Sequence, residues 1–146
     1  MSINKMESDF PDLVEAGYRV TSEATPNYNC IAWALEKDDV VLWPDSMDQF
    51  SWPRNFPREE KMEVFIVFFQ SFGYMICENE SFEPGYEKIA LYIDPHGRGS
   101  HAAKQLRNGK WTSKLGPDED IEPNTLAGLA GDKLGVVGKI LKRAVA

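Results

Sequence analysis

Residues 100 to 115 constrain the fold more than any other stretch of the chain. Ser100 to Leu106 and Lys110 to Leu115 read as two strands around Arg107-Asn108-Gly109. Asn-Gly is the strongest short hairpin signal, because it supplies the positive-φ residues that a tight reversal needs. Lys88 to Ile93 reads as a third strand, joined to the hairpin by the turn-rich Asp94-Pro95-His96-Gly97-Arg98-Gly99. The expected core is a three-stranded antiparallel meander, with acidic residues Asp118, Glu119 and Asp120 just beyond its last strand.

Helical signals precede the meander. Asp9 to Gly17 can form a short helix, with Asp9 as cap, Pro11 in the first turn and Gly17 as terminator. Tyr18 to Val20 follows as a short strand. Thr25-Pro26-Asn27-Tyr28-Asn29 is turn chemistry, with Asn27 or Asn29 able to cap the apolar run Cys30-Ile31-Ala32-Trp33-Ala34-Leu35. That run reads as a buried helix with Cys30 in its first turn. Arg58 to Phe72 is the clearest helix: Met62, Phe65, Ile66, Phe69 and Phe72 recur at helical spacing, Glu59, Glu60 and Glu63 favour its start, and Gly73 suits its end. Between these helices, Asp45 to Pro57 reads as an aromatic-rich irregular loop. Asn124 to Ala130 suggests one short helix, and Val136 to Leu141 suits either a strand or a helix.

Composition narrows the function. The chain has 146 residues, 42% of them apolar, which is enough for one real core. Its formal net charge of −7 argues against general binding to nucleic acid or an anionic membrane, since neutralising phosphate requires a cationic surface. Lys139, Lys142 and Arg143 form the one basic cluster, expected to be a solvated tail. Val64 to Phe69, the longest apolar run, is too short to span a bilayer. The opening MSINKMESDF has no apolar signal-peptide core, so the expected location is the cytoplasm, with delivery by a specialised secretion system left open. Two cysteines cannot build a disulfide framework.

The chemistry-bearing pair is Cys30 and His101. Unpaired N–H groups at a helix start favour a thiolate, and an imidazole can take the thiol proton and return it to a leaving group. Asn29-Cys30-Ile31-Ala32-Trp33-Ala34, followed by Ser100-His101-Ala102-Ala103 and Asn108-Gly109-Lys110-Trp111, resembles the cysteine helix and histidine hairpin of papain-like, NlpC/P60-type cysteine peptidases and amidases. The chain also resembles a group of small uncharacterised bacterial proteins. It shares with them Asn-Cys-Ile-Ala-Trp-Ala, Glu-Lys-Ile-Ala-Leu-Tyr (87–92), His-Ala-Ala-Lys-Gln-Leu (101–106), Trp-Thr-Ser-Lys-Leu-Gly (111–116) and Glu-Asp-Ile (119–121). The papain-like resemblance implies an α+β fold with a cysteine-bearing helix packed on an antiparallel sheet. It also implies a thiol hydrolase or transferase acting on an amide bond of a peptide or protein.

In that reading Cys30 attacks, His101 serves as base and then acid, and a third group orients the imidazole. Glu119 is the first candidate. Ser113 is the second: with a three-residue hairpin loop, Leu106 faces Lys110 and Ser113 lies diagonally from His101 on one face, whereas a two-residue loop puts Lys114 there. The N–H of Cys30 with the side chain of Asn27 or Asn29 would form the oxyanion hole. The rival reading is a non-catalytic protein-binding module, an accessory, immunity-type or inactive member of the same fold. Cysteine is among the most often buried residues, so Cys30 also suits a plain core role. Cys77 reads as an inert core thiol and His96 as an exposed loop residue. No zinc spacing, calcium loop or phosphate-binding Gly loop is present, so no metal or cofactor is expected.

Overall fold

In the computed structural model, which describes residues 10–21, 25–114, 120–123, 126 and 135–145, the hairpin closes with a three-residue loop. Leu106 N–H donates to Lys110 O at 2.7 Å and Gly109 N–H to Leu106 O at 2.9 Å, with Gly109 at φ +86°. A side chain at that φ would be strained, which is why glycine ends the loop. The loop sets the register Gln105↔Trp111 and Lys104↔Thr112 between β4 (Gly99–Gln105) and β5 (Trp111–Lys114). β3 (Tyr86–Ile93) pairs antiparallel with β4, completing the meander.

The sheet extends beyond the meander on both sides. Besides β3 to β5 it contains β1 (Tyr18–Val20), β2 (Met75–Cys77), β6 (Asp120–Pro123) and β7 (Val136–Ala144), in the order β1-β6-β5-β4-β3-β7-β2. All these pairings are antiparallel. The C-terminal segment is therefore a strand, and Lys142 and Arg143 are not a solvated tail. Lys142 pairs with Glu83 at 3.1 Å, and Arg143 binds the Glu87 carboxylate. Gly138 is skipped in the β3–β7 register, and a Cβ there would lie 2.9 Å from Ile93 Cγ2. A bulge at this glycine lets the strand pass Ile93.

Among the described residues three helices cover the sheet: α1 (Pro11–Ala16), α2 (Cys30–Ala34) and α3 (Met62–Gln70). Pro11 starts α1 as expected. Phe10 holds its N-cap position without a side-chain bond, and Asp9, the expected cap, lies outside the described residues. The third helix is shorter than its sequence suggests. Residues 58–61 stay out of the helix because Lys61 bridges Arg98 and Gly99 N–H donates to Glu60 O at 2.7 Å, tying this segment to the start of β4. Sheet contact outcompetes the helix-start signals of Pro57, Glu59 and Glu60.

Alternation of side chains along the strands creates two apolar layers. Ile89, Leu91, Ala102 and Leu141 face α2 and α3, where they meet Cys30, Ile31, Phe65, Phe68 and Phe69. Trp52 stacks on Phe68 with centroids 4.3 Å apart, closing this layer from the loop side. Ala90, Tyr92, Ala103 and Ile140 face the other way, toward Phe10, Leu13, Trp111, Ile121 and Leu126. Each fully buried large apolar side chain contributes about 1.5–3 kcal/mol, so these two layers hold the sheet between its helical covers. The expected helix at 124–130 lies, apart from Leu126, outside the described residues. No helix among the described residues is long and apolar enough to cross a membrane.

Candidate functional site

Cys30 is the first residue of α2, and Asn29 is its N-cap. Asn29 Oδ1 accepts from Ala32 N–H at 3.2 Å and from Leu42 N–H at 3.1 Å, while Nδ2 donates to Leu42 O at 2.7 Å. Its amide thus caps the helix and fastens the following loop, and those bonds occupy the group suggested for an oxyanion hole. Asn27 is exposed, its backbone N–H bonded to Thr25 Oγ1 at 3.2 Å. Trp33, later in α2, donates from Nε1 to Thr112 Oγ1 at 3.1 Å and fixes the helix against β5. The cysteine-bearing helix therefore packs on the antiparallel sheet, at β4 and β5.

The Cys30 thiol is buried, only 5% exposed. Burial pushes its pKa up to about 11, although the N–H groups of Ala102, Ile31 and Cys30 pull the other way. Burial outweighs the helix start. A five-residue helix aligns few peptide dipoles, whereas removing the sulfur from water penalises the thiolate in full. At neutral pH Cys30 is a thiol.

His101 is equally buried and lies opposite Tyr92 in the β3–β4 register. Its ring packs edge-on against the Tyr92 ring at 5.5 Å, on the side of the sheet that carries Ala90 and Ala103. Ala102, its neighbour, projects toward Cys30. Period-two alternation thus directs the His101 side chain away from the layer that holds the thiol. No hydrogen bond joins the two residues.

The structure brings His101 together with Ser113 instead. His101 Nε2 contacts Ser113 Oγ, and Ser113 Oγ–H donates to Ala102 O at 3.2 Å. With its proton directed to that carbonyl, the serine oxygen presents a lone pair to the ring, the partner that an imidazole protonated on Nε2 requires. Burial holds the His101 pKa down to about 3, so the ring is neutral. Glu119, the other candidate for orienting the imidazole, lies outside the described residues, as does Asp118.

The remaining candidates separate clearly. His96 is exposed in the β3–β4 loop. Cys77 is half-buried at the end of edge strand β2, its Sγ–H donating to Asn79 O at 3.4 Å, and so is not the sealed core thiol expected. No group of three or more His, Cys, Asp and Glu side chains among the described residues is arranged to hold a metal ion.

Two other features emerge only from the fold. The loop after α2 is braced by ion pairs: Asp45 accepts from Gln49 N–H at 2.7 Å and Phe50 N–H at 3.1 Å, and Arg58 bridges Asp45 and Asp48. That bracing leaves Met47 75% exposed and Phe50 43% exposed. The second feature is a buried charge cluster on the α2 side of the sheet, where Lys104 meets Glu36 and Glu87. The available signal was a lysine directly after Ala102-Ala103 in the strand Ser-His-Ala-Ala-Lys-Gln. Its partners lie 68 and 17 positions earlier in the chain (104 − 36 and 104 − 87), too scattered to read as a motif.

The profile of a family described as Domain of unknown function (DUF7689) matches residues 19–142. No curated protein and no solved structure matches the chain.

Proposed function

The chain belongs to the DUF7689 domain family, and we propose that it acts as a non-catalytic protein-binding module built on a papain-like plan. The observation that carries this reading is the direction of two side chains. His101 engages Ser113 and Tyr92 on one side of β4, while the Cys30 thiol is buried on the other with its pKa raised. A nucleophile needs a base within hydrogen-bond reach and access to substrate, and this thiol is sealed from both. The surface that suits a partner is the braced loop carrying Met47 and Phe50. Two large apolar side chains held out by a fixed ion-pair frame lose little entropy on docking.

One observation favours a second reading, a thiol hydrolase acting on an amide through Cys30 and His101. Nε2 of the imidazole is occupied by Ser113, which leaves Nδ1 for a thiol proton, and the Ala102 N–H faces the Cys30 sulfur. In that reading Ser113 or Glu119 orients the ring, and the ring must turn toward the α2 layer.

Alkylation of the native protein by iodoacetamide near neutral pH, with the two cysteines followed separately by mass spectrometry, tests both readings. The binding module predicts that Cys30 reacts far more slowly than a free model thiol and that Cys77 reacts first. Cys30 labelled faster than the model thiol overturns it and supports the hydrolase.

A further inference from the structure

Lys104 sits between two carboxylates of different character. Its side chain is 4% exposed, with Nζ 3.4 Å from Glu87 Oε2 and 3.2 Å from Glu36 Oε1. The inner carboxylate is locked. Glu87 also accepts from Arg143 Nε at 2.7 Å, from Arg143 Nη2 and from Tyr74 Oη at 3.2 Å. The outer one is not: the Glu36 side chain is 68% exposed and makes no other ion pair or hydrogen bond among the described residues, and its backbone stands at φ +60° just after α2. That left-handed conformation is unfavourable for a residue bearing a Cβ, and glycine is its usual occupant.

These residues line an open cavity of about 400 Å³, together with Gln105, Arg107 and Asn108 from the end of β4 and the hairpin loop. Arg107 is exposed there and has no ion-pair or hydrogen-bond partner among the described residues. The site thus holds a buried ammonium capped by a solvent-facing carboxylate, beside an unused guanidinium.

We propose that this cavity binds a carboxylate ligand, which takes the place of Glu36 on Lys104 and receives a second, forked contact from Arg107. Glu36 then acts as a built-in stand-in that swings out when the ligand enters. Charge selects the ligand class. Exchanging one singly charged carboxylate for another leaves the balance around Glu87 unchanged, whereas a dianionic phosphate would add charge beside a buried carboxylate. The planar guanidinium of Arg107 also matches a carboxylate's two oxygens. The volume is that of a small-molecule site. Two sources present this chemistry, a free small acid and the C-terminus of a peptide. The inference is independent of the Met47 and Phe50 surface and of any role for Cys30.

An NMR titration of the full chain tests it, with three probes: propionate, tri-alanine, and tri-alanine amidated at its C-terminus. The expected result is saturable shifts at Glu36, Lys104 and Arg107 with at least one free-acid probe and none with the amide. Glu36→Gln, which frees Lys104, should tighten that binding by roughly tenfold, the size of one charge-assisted hydrogen bond. Arg107→Ala, an exposed loop change that leaves the core untouched, should weaken it by a similar factor. Stronger binding of propionate assigns a free acid, and stronger binding of tri-alanine assigns a peptide terminus. The proposal is overturned if no probe saturates with the Glu36→Gln variant, or if Arg107→Ala and Glu36→Gln both leave affinity unchanged.

Discussion

His101 Nε2 meets Ser113 Oγ across β4 and β5, inside the apolar layer formed by Tyr92, Ala103 and Trp111. This pair holds a neutral imidazole where no carboxylate among the described residues contacts it, and it makes the fold sensitive to acid. The folded pKa of about 3 lies below the ordinary value of 6.5. Its stabilising contribution is therefore complete above pH 6.5 and is lost as pH falls toward 3.

From that sign, moving from about pH 7 to about pH 5 should cost the native protein about 2 kcal/mol through His101 alone. Urea unfolding of the wild type and of His101→Gln at both pH values isolates this contribution. The variant should lose less stability on acidification. Equal losses in the two proteins would show that His101 is not the acid-sensitive group.

Cys30 works in the opposite direction. Its folded pKa of about 11 lies above the ordinary 9.0, so its contribution is complete below pH 9 and fades as pH rises to 11. The loss should reach about 2–3 kcal/mol across that window. Cys30→Ala should flatten this part of the stability profile while creating a small cavity of its own. An unaltered alkaline slope in the variant would contradict burial as the cause.

Asn29 joins α2 to the loop at Leu42 through three hydrogen bonds. Asn29→Ala removes them all, and the expected destabilisation is about 2–3 kcal/mol. Asn29→Asp keeps both acceptor bonds and loses only the donor, so it should be milder. Denaturant midpoints of the two variants order them. An Asp variant as unstable as the Ala variant would mean that the cap itself contributes little.

Gly99 opens β4 directly beneath the Phe65 ring, and a Cβ there would run into that ring. Gly99→Ala should therefore destabilise the fold by about 1–3 kcal/mol through overpacking. Adding Phe65→Leu should recover part of the loss, because the two sites share one space. Additive losses in the double variant would point to the backbone of Gly99, not to its contact with Phe65.

The meander was legible because Asn108-Gly109 marks a tight reversal between two strands, whereas the choice between a two-residue and a three-residue loop was settled only by the Leu106–Lys110 pairing. The place of Cys30 was legible too, since Asn29 is a strong cap beside an apolar run. What the sequence concealed was non-local. Residues 58–61 carry helix-start chemistry, yet pairing with Arg98 and Gly99 keeps them out of the helix. Three residues at Met75–Cys77 are too few for a period, and they become a strand only because β7 lies alongside. Cys30 and His101 occupy the local settings expected, a helix start and a strand. Which side of β4 the histidine takes depends on where α2 docks, and no spacing between positions 30 and 101 encodes that. The ion pairs of Lys142 and Arg143 were hidden for the same reason, as their partners Glu83 and Glu87 lie 59 and 56 positions earlier in the chain.

The strand order has a consequence for synthesis. β2 is joined to the rest of the sheet only through β7, and β7 also forms one complete side of β3. Residues 75–77 and 86–93 must therefore wait for the segment 136–144 before their backbone bonds are complete. On a ribosome making about 5–20 residues each second, β2 and the outer side of β3 remain open for several seconds, a window in which a chaperone or a second nascent chain competes with β7 for the same edge.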